Sequence, residues 1–544
     1  MYKVEKILLN NKKLVYLILF VLALLMHFYK LADIPYGLHI DEAGMAYDAY
    51  CLANYSVDRY LIRYPVYLIN FGGGQSALLA YLVAGLIKLT GIVNHWIIRL
   101  PGAFIGILSY VAGVNIIRNC MGEKWGMLSG FFLAVFPYFI MQSRFGLDCN
   151  LLLGMSTIGL WFLLRAEESK KVTFWIWGGV IWGIAYYTYA LSYIGNTVFL
   201  VLLFLYWLYM KKITWKQVFC FCVPLVLIAM PLLLMVIINT YDLPQIETSL
   251  FTIPRIPGYR SGDIIFSNKW ENLLEAIKVI FTNDWLSYNA LEKYYTFYGI
   301  SIIFGIVGSI ALFVDMVKKV LRMEYFKHMM FLLFLSAYLM MGMLIGGGGP
   351  NINRMNGIFF ALFYAVLYGM KFLYDSFIKV VNNNECKKNG MIRIASGIPN
   401  VEKKLAFLVL LVYIFYSVSF IRYYFWKYPT DIYPQRFFAD TFNDITEYIE
   451  TSTGEPKVVY TNASYVYYFL GEKIDPFDAN IPQEGTRDYW KYVFELPSEI
   501  EMGAIYVIRE TWEDSIKEYM ERLEEAGFEK YKSGMFRCYR SEEH

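Results

Sequence analysis

The chain has 544 residues, of which 57% are hydrophobic, 19% aromatic and only 17% charged, with a mean hydropathy of +0.41. Soluble domains carry about 25% charged residues, so this composition excludes a wholly soluble protein and indicates a polytopic membrane protein with some polar mass attached. The net charge of +3 gives no footprint for nucleic acid, and seven scattered cysteines without a CxxC or a Cys/His cluster argue against a disulfide framework or a structural zinc site.

The N-terminus, MYKVEKILLNNKK, is basic and leads into LVYLILFVLALLMHFY. That apolar run is longer than a signal-peptide core, and no small-residue cleavage site follows it. It reads as an uncleaved first span. Apolar runs of near-spanning length continue at 76–93, 97–117, 125–141, 147–164, 172–189, 195–210, 217–239, 296–317, 326–345, 354–378 and 404–425. Basic loops belong inside. Placing Lys3–Lys13, Arg118–Lys124, Arg165–Lys171, Lys211–Lys216, Lys318–Lys327 and Lys379–Lys404 there leaves one conflict of parity. It disappears if 76–93 lies in the outer face as a juxtamembrane helix. The expected fold is therefore a polytopic α-helical membrane protein of about eleven spans in the plasma (cytoplasmic) membrane. Its N-terminus is inside, and residues 428–544 form a small extracytoplasmic α/β domain outside.

The polar, unusual segments then gather on one face. The first, YGLHIDEAGMAYDAY (36–50), carries His39, Asp41, Glu42 and Asp48. On a helix, Asp41 and Asp48 share a face and Glu42 points about 100° away from Asp41. One acid is then a general base and another holds the loop, or all of them simply favour a helix N-terminus. His39 is either a metal ligand or a hydrogen-bonding residue. In QSRFGLDCN (142–150), Arg144 and Asp148 form an i,i+4 ion pair, or Arg144 meets a phosphate while Asp148 meets a metal or the acceptor. The 240–295 loop holds Arg255, Arg260, Lys269, Trp270 and Trp285, and its WENLLEAIKVIF reads as an interfacial helix. GGGGPNINR (346–354) is a flexible loop or an anion nest completed by Arg354. No P-loop, GxGxxG, HExxH or GxSxG stands in a supporting context, so soluble nucleotide chemistry is not indicated. From Tyr428 the composition changes: EPKVVYTNASYVYYFLG and GAIYVIRE read as strands, WEDSIKEYMERLEEAGF as a helix ending at Gly527, and MFRCYR as a last strand. Asn462-Ala463-Ser464 fits a glycosylation sequon.

Three segments in order carry a resemblance: DEAGMAYDA after the first span, RLPGAFIGIL at 99–108, and SRFGLDCNLLL at 143–153. Over roughly residues 33–425 the chain resembles the GT-C membrane glycosyltransferases, in the branch of the protein O-mannosyltransferases and lipid A aminoarabinose transferases. The resemblance implies an enzyme that takes a hexose or pentose from a polyprenyl-phosphate donor at the outer face. By position it implies Asp41 as catalytic base or metal-associated acid, Glu42 as its neighbouring acid, Asp148 as a further acid and Arg144 as the nearby arginine. The donor phosphate is then expected at Arg144, Arg354, Arg255 or Arg260, and a divalent metal ion, if used, at Asp41 and Asp148. Two departures stand out. YYTYALSY (186–193) lacks the lysine of the aminoarabinose transferases, and the 240–295 loop is too short for the large inserted domain of eukaryotic protein mannosyltransferases. The acceptor is a lipid, glycan or protein. The competing readings are a lipid or glycan transporter or flippase, and a glycan polymerase or ligase using a lipid-linked donor. A transporter places its polar groups near the midplane in repeated halves, a pattern this sequence does not show.

Overall fold

A computed structural model describes residues 10–259, 268–281, 288–346, 349–382, 400–431, 436–453, 457–482, 488–510, 513–533 and 536–541. The chain starts with α1 (Lys12–Phe28), then β1 (Leu38–His39), α2 (Ile40–Tyr55), the hairpin β2 (Tyr67–Asn70) and β3 (Gly73–Ser76), and α3 (Leu78–Thr90). Next come α4 (His95–Met121), α5 (Glu123–Val135), α6 (Pro137–Met141), α7 (Asn150–Ser169), α8 (Val172–Ala185), α9 (Ser192–Tyr209) and α10 (Trp215–Thr240). The short pair β4 (Ile246–Glu247) and β5 (Thr252–Ile253) precedes α11 (Lys269–Phe281), α12 (Ser301–Leu321), α13 (Met329–Leu344), α14 (Ile358–Asn382) and α15 (Val401–Arg422).

Six helices among the described residues, α4, α9, α10, α12, α14 and α15, are long and apolar enough to cross a membrane. They leave large apolar side chains exposed, among them Phe219, Leu227, Ile303, Phe313, Leu408 and Phe415. Facing lipid, such side chains gain nothing from burial, so helix contact depends on close packing of small residues. Between α12 and α14 a Cβ on Gly308 would lie 1.8 Å from the Ala365 carbonyl oxygen, and one on Gly369 would lie 2.0 Å from that of Phe304. Only glycine permits that approach. The sequence led us to expect about eleven spans; the remaining apolar runs form α7, which is 20 residues long but less apolar, and shorter helices. The run 125–141 breaks at Phe136-Pro137 into α5 and α6, because proline cannot continue the helical hydrogen bonding. At 13 residues α3 is only about 20 Å long, short of the roughly 30 Å hydrocarbon core.

The C-terminal segment contains β6 (Phe438–Ala439), α16 (Asn443–Thr453), β7 (Val459–Thr461), α17 (Tyr465–Gly471), β8 (Tyr492–Val493), β9 (Ile505–Arg509), α18 (Asp514–Glu525), β10 (Phe528–Ser533) and β11 (Phe536–Ser541). Five strands form one sheet in the order β10-β11-β9-β7-β8, with β7 parallel to β8 and β9. This is the expected α/β unit, with one correction. The stretch 455–471 is not one strand: after Thr461 it turns and becomes α17, whose residues Tyr465–Leu470 are all buried. α17 lies against α2 and buries its aromatic side chains there, with the Phe469 ring 5.6 Å from that of Tyr47. Tertiary burial has overridden the β propensity of YVYYF. The main hydrophobic core runs without interruption from the apolar helices into this unit, and a smaller core lies under α18.

Candidate active site

The acidic segment forms α2, whose start is specified locally. His39 is the N-cap: its Nδ1 accepts from the Asp41 backbone N–H at 3.2 Å, and Glu42 reaches back to the His39 N–H at 3.3 Å. Asp41 and Glu42 occupy the first turn, where the helix dipole favours them.

Beyond that turn the acids differ sharply. Glu42 is fully buried, and Arg99 donates to it through Nε at 3.0 Å and Nη2 at 3.2 Å. The Gly146 N–H adds a further bond at 2.7 Å. Asp48 is equally buried and held by Arg59 through Nε (2.9 Å), Nη2 (2.7 Å) and its backbone N–H (3.0 Å). Each is thus the counter-ion of a buried arginine, as expected of an acid that holds the loop. Asp41 is different. Its side chain is 37% exposed and lies 3.7 Å from His39, and its Oδ1 accepts from Asn70 Nδ2 at 2.9 Å. Arg59 Nη2 donates to Asn70 Oδ1 at 3.2 Å, which fixes the amide so that its NH₂ faces Asp41. Gly44 leaves room for this relay, since a Cβ there would lie 2.7 Å from Arg59 Nη2.

Asp148 sits just before α7, half-buried, with the Ser76 N–H (2.9 Å) and Cys149 N–H (2.8 Å) donating to its two oxygens. Burial pushes its carboxyl up to about 7 against those donors, with the Asp41 charge acting in the same direction as burial. Burial also lowers His39, opposed by Asp41 and Glu42 and assisted by Arg509. Beside Asp148 a polar cluster forms. Asn289 Nδ2 donates to Asn150 Oδ1 (3.1 Å) and to Asn353 Oδ1, and Asn353 Nδ2 donates to Tyr288, whose ring lies 5.2 Å from that of His39.

Arg144 overturns its expected role. Its Nη1 and Nη2 donate to the carbonyls of Met26, His27, Tyr29 and Lys30 at 2.7–3.0 Å, and its guanidinium lies over the Tyr424 and Phe425 rings. It satisfies the carbonyls that the end of α1 leaves open, instead of meeting a phosphate or pairing with Asp148. We expect Arg144→Lys to lower the thermal midpoint while leaving the donor KM of the surviving protein within about twofold, since Lys cannot reproduce the fork. A raised KM at unchanged stability would restore the phosphate role. Arg354 also turns onto backbone, donating through Nη1 to the Gly346 (3.0 Å) and Gly349 (3.1 Å) carbonyls. Gly346 and Gly349 thus present their carbonyls to Arg354. Arg354 and Asp148 both act on the Tyr189 hydroxyl, in opposite directions. Arg255 is exposed and pairs with Asp242 at 2.9 Å. Arg260 and Trp285 lie outside the described residues. WENLLEAIKVIF is helical, within α11, with Trp270 and Leu274 exposed. No group of three or more His, Cys, Asp or Glu suited to a metal ion occurs among the described residues. The sequon is engaged internally: Asn462 donates to the Arg509 carbonyl at 3.0 Å and accepts its N–H at 2.7 Å.

Sequence reasoning missed Arg59, Asn70 and Arg99. Arg99 stood in the quoted RLPGAFIGIL without a role, and Asn70 marked the β2–β3 turn. A cavity of 540 Å³ lined by Trp125, Phe304, Met370, Phe377 and Leu405 lies elsewhere, is almost wholly apolar and presents no convergent polar groups.

Asp58 gives a pH prediction. Its Oδ1 takes the Tyr60 and Ile62 N–H groups at 2.9 Å, and burial, then the Asp48 charge, push its carboxyl up to about 8. The folded value lies above the unfolded one of about 3.9. The native state therefore keeps a proton that the unfolded chain has lost, and this contribution weakens as pH rises from about 4 to about 8. Asp58→Asn keeps the acceptor without titrating. The fall in thermal midpoint between pH 5 and 8 should be shallower in this variant than in wild type, and equal slopes would refute the assignment.

A profile of the family described as "Dolichyl-phosphate-mannose-protein mannosyltransferase" matches residues 75–239. No curated protein matches the chain. Among solved structures, ArnT from Cupriavidus metallidurans in the apo state aligns at a TM-score of 0.53 and 12% identity, over 97% of this chain and 98% of that one. The same protein bound to undecaprenyl phosphate aligns at 0.55 and 14%, over 96% and 97%. The chain has the GT-C fold along nearly its whole length, C-terminal unit included, and its resemblance to the GT-C membrane glycosyltransferases holds.

Proposed function

We propose that this chain transfers a hexosyl or pentosyl group from a polyprenyl-phosphate donor to an acceptor hydroxyl at the outer surface of the membrane, with Asp41 as general base. One observation carries the residue assignment. Among the acids of α2, Glu42 and Asp48 are each closed by an arginine, whereas Asp41 is partly exposed and oriented by Asn70. The match to a mannosyltransferase family and the fold shared with a protein crystallised with undecaprenyl phosphate support the donor class.

In this reaction the acceptor O–H gives its proton to Asp41 as its oxygen attacks the anomeric carbon. The bond from that carbon to the donor phosphate oxygen breaks, the phosphate leaves with the electron pair, and a single displacement inverts the anomeric centre. Of the four arginines expected at the phosphate we retain Arg354 as the candidate, because it adjoins Asn353 of the Asn150–Asn289–Asn353 cluster. A divalent ion would be held by Asp41 and Asp148, and transfer lost in chelator and restored by the ion is the check. The test of the reading is transfer from a radiolabelled polyprenyl-phosphate sugar pool into membrane extracts, with wild type and Asp41→Asn side by side. Asp41-dependent label in a product supports it. Absence of transfer by folded wild-type protein from a broad donor pool favours transport or glycan ligation.

A further inference from the structure

The proposed reaction, on which this inference rests, gives the C-terminal unit no task, yet three of its elements converge on the strand that precedes Asp41. β6 pairs antiparallel with β1, setting Leu38 opposite Ala439 and His39 opposite Phe438. The Tyr467 hydroxyl of α17 donates to the Leu38 carbonyl at 3.1 Å. Arg509, the last residue of β9, donates through Nη2 to the carbonyls of Arg436 (2.6 Å) and Phe438 (2.9 Å).

Arg509 is itself fixed. Asn462, which follows β7, bonds both its backbone N–H and its carbonyl, so the carboxyl ends of the parallel strands β7 and β9 are clamped together. A continuous route results: the sheet holds Arg509, Arg509 holds β6, β6 holds β1, and His39 of β1 holds the Asp41 N–H. The fit along it is tight. Gly37 has φ +73°, and a Cβ there would lie 2.6 Å from the Ala439 carbonyl oxygen. β1 is only two residues long, too short to keep its conformation by itself. A base that must meet an acceptor proton at hydrogen-bond distance loses rate steeply when displaced.

We propose that Arg509 is a positioning residue for sugar transfer, through which the C-terminal unit, by way of β6 and the His39 cap, sets the orientation of Asp41. The unit is then part of the catalytic apparatus.

The test uses purified full-length protein. In Arg509→Ala, kcat should fall by about 10- to 100-fold while the donor KM stays within about twofold, with the thermal midpoint close to wild type. Arg509→Lys, which keeps one charged donor nitrogen on a shorter reach, should recover part of that loss. Amide exchange over residues 38–41 should quicken in both variants, and this measurement decides the matter through Arg509→Lys if Arg509→Ala fails to fold. Wild-type kcat and wild-type exchange would overturn the inference. So would a raised KM at constant kcat, or a loss that merely follows the folded fraction. Asp41→Asn run alongside separates the two failures. Full transfer by Asp41→Asn removes the base assignment, whereas dead Asp41→Asn with wild-type Arg509→Ala removes only the positioning role.

Discussion

Asp41→Asn should insert and fold as wild type does, yet transfer sugar about 10²- to 10⁴-fold more slowly, the range a positioned general base supplies. The substitution is close to isosteric at a side chain that is 37% exposed. Its Oδ1 can still accept from Asn70, so the first turn of α2 keeps its partners. What it removes is the capacity to take a proton. The readout is labelled product per folded protein. Transfer within about threefold of wild type would exclude Asp41 as base, because no positioned base contributes so little. Glu42→Gln makes the useful contrast: it removes charge from a closed ion pair, so we expect its effect chiefly on stability.

Arg99→Ala should be the most destabilising single change near the site. Arg99 donates to the carbonyls of Leu31, Ala32, Pro35 and Gly37 as well as to both oxygens of Glu42. It therefore organises the whole connection from α1 to α2. Removing it leaves Glu42 buried with its charge uncompensated, a loss of about 3–5 kcal/mol for a broken buried pair. Lys in its place has no planar fork and should rescue little. Monodispersity and thermal midpoint in detergent give the measurement. Pairing Arg99→Leu with Glu42→Leu should recover part of the stability, because no charge then remains unpaired. A wild-type midpoint for Arg99→Ala would show that the connection is held by other contacts.

Both expectations turn on a sorting of acids that the sequence does not contain. DEAGMAYDA announces an acidic helix start after a span, and the cap and the first-turn acids follow from residues within a few positions of one another. The partners that close the other acids are remote: Arg59 is 11 residues from Asp48 and Arg99 is 57 from Glu42. Arg144 was legible as a charge at a helix end, but the carbonyls it satisfies lie 114–118 residues earlier in the chain. YVYYF read as a strand and is a helix, because burial against α2 outweighed its local preference.

The sequence by itself determined that this is a membrane protein with an acidic segment after its first apolar run and a terminal α/β unit. Composition, apolar run length and capping are sums over neighbouring residues, and such sums survive without a fold. Only the tertiary structure decided which carboxylate keeps an open face, which arginines are committed to backbone, and that the terminal sheet reaches back to the strand before Asp41. A guanidinium pairs with whatever acceptor the fold leaves buried and unsatisfied beside it, and burial is a property of the whole packed chain, not of spacing along it.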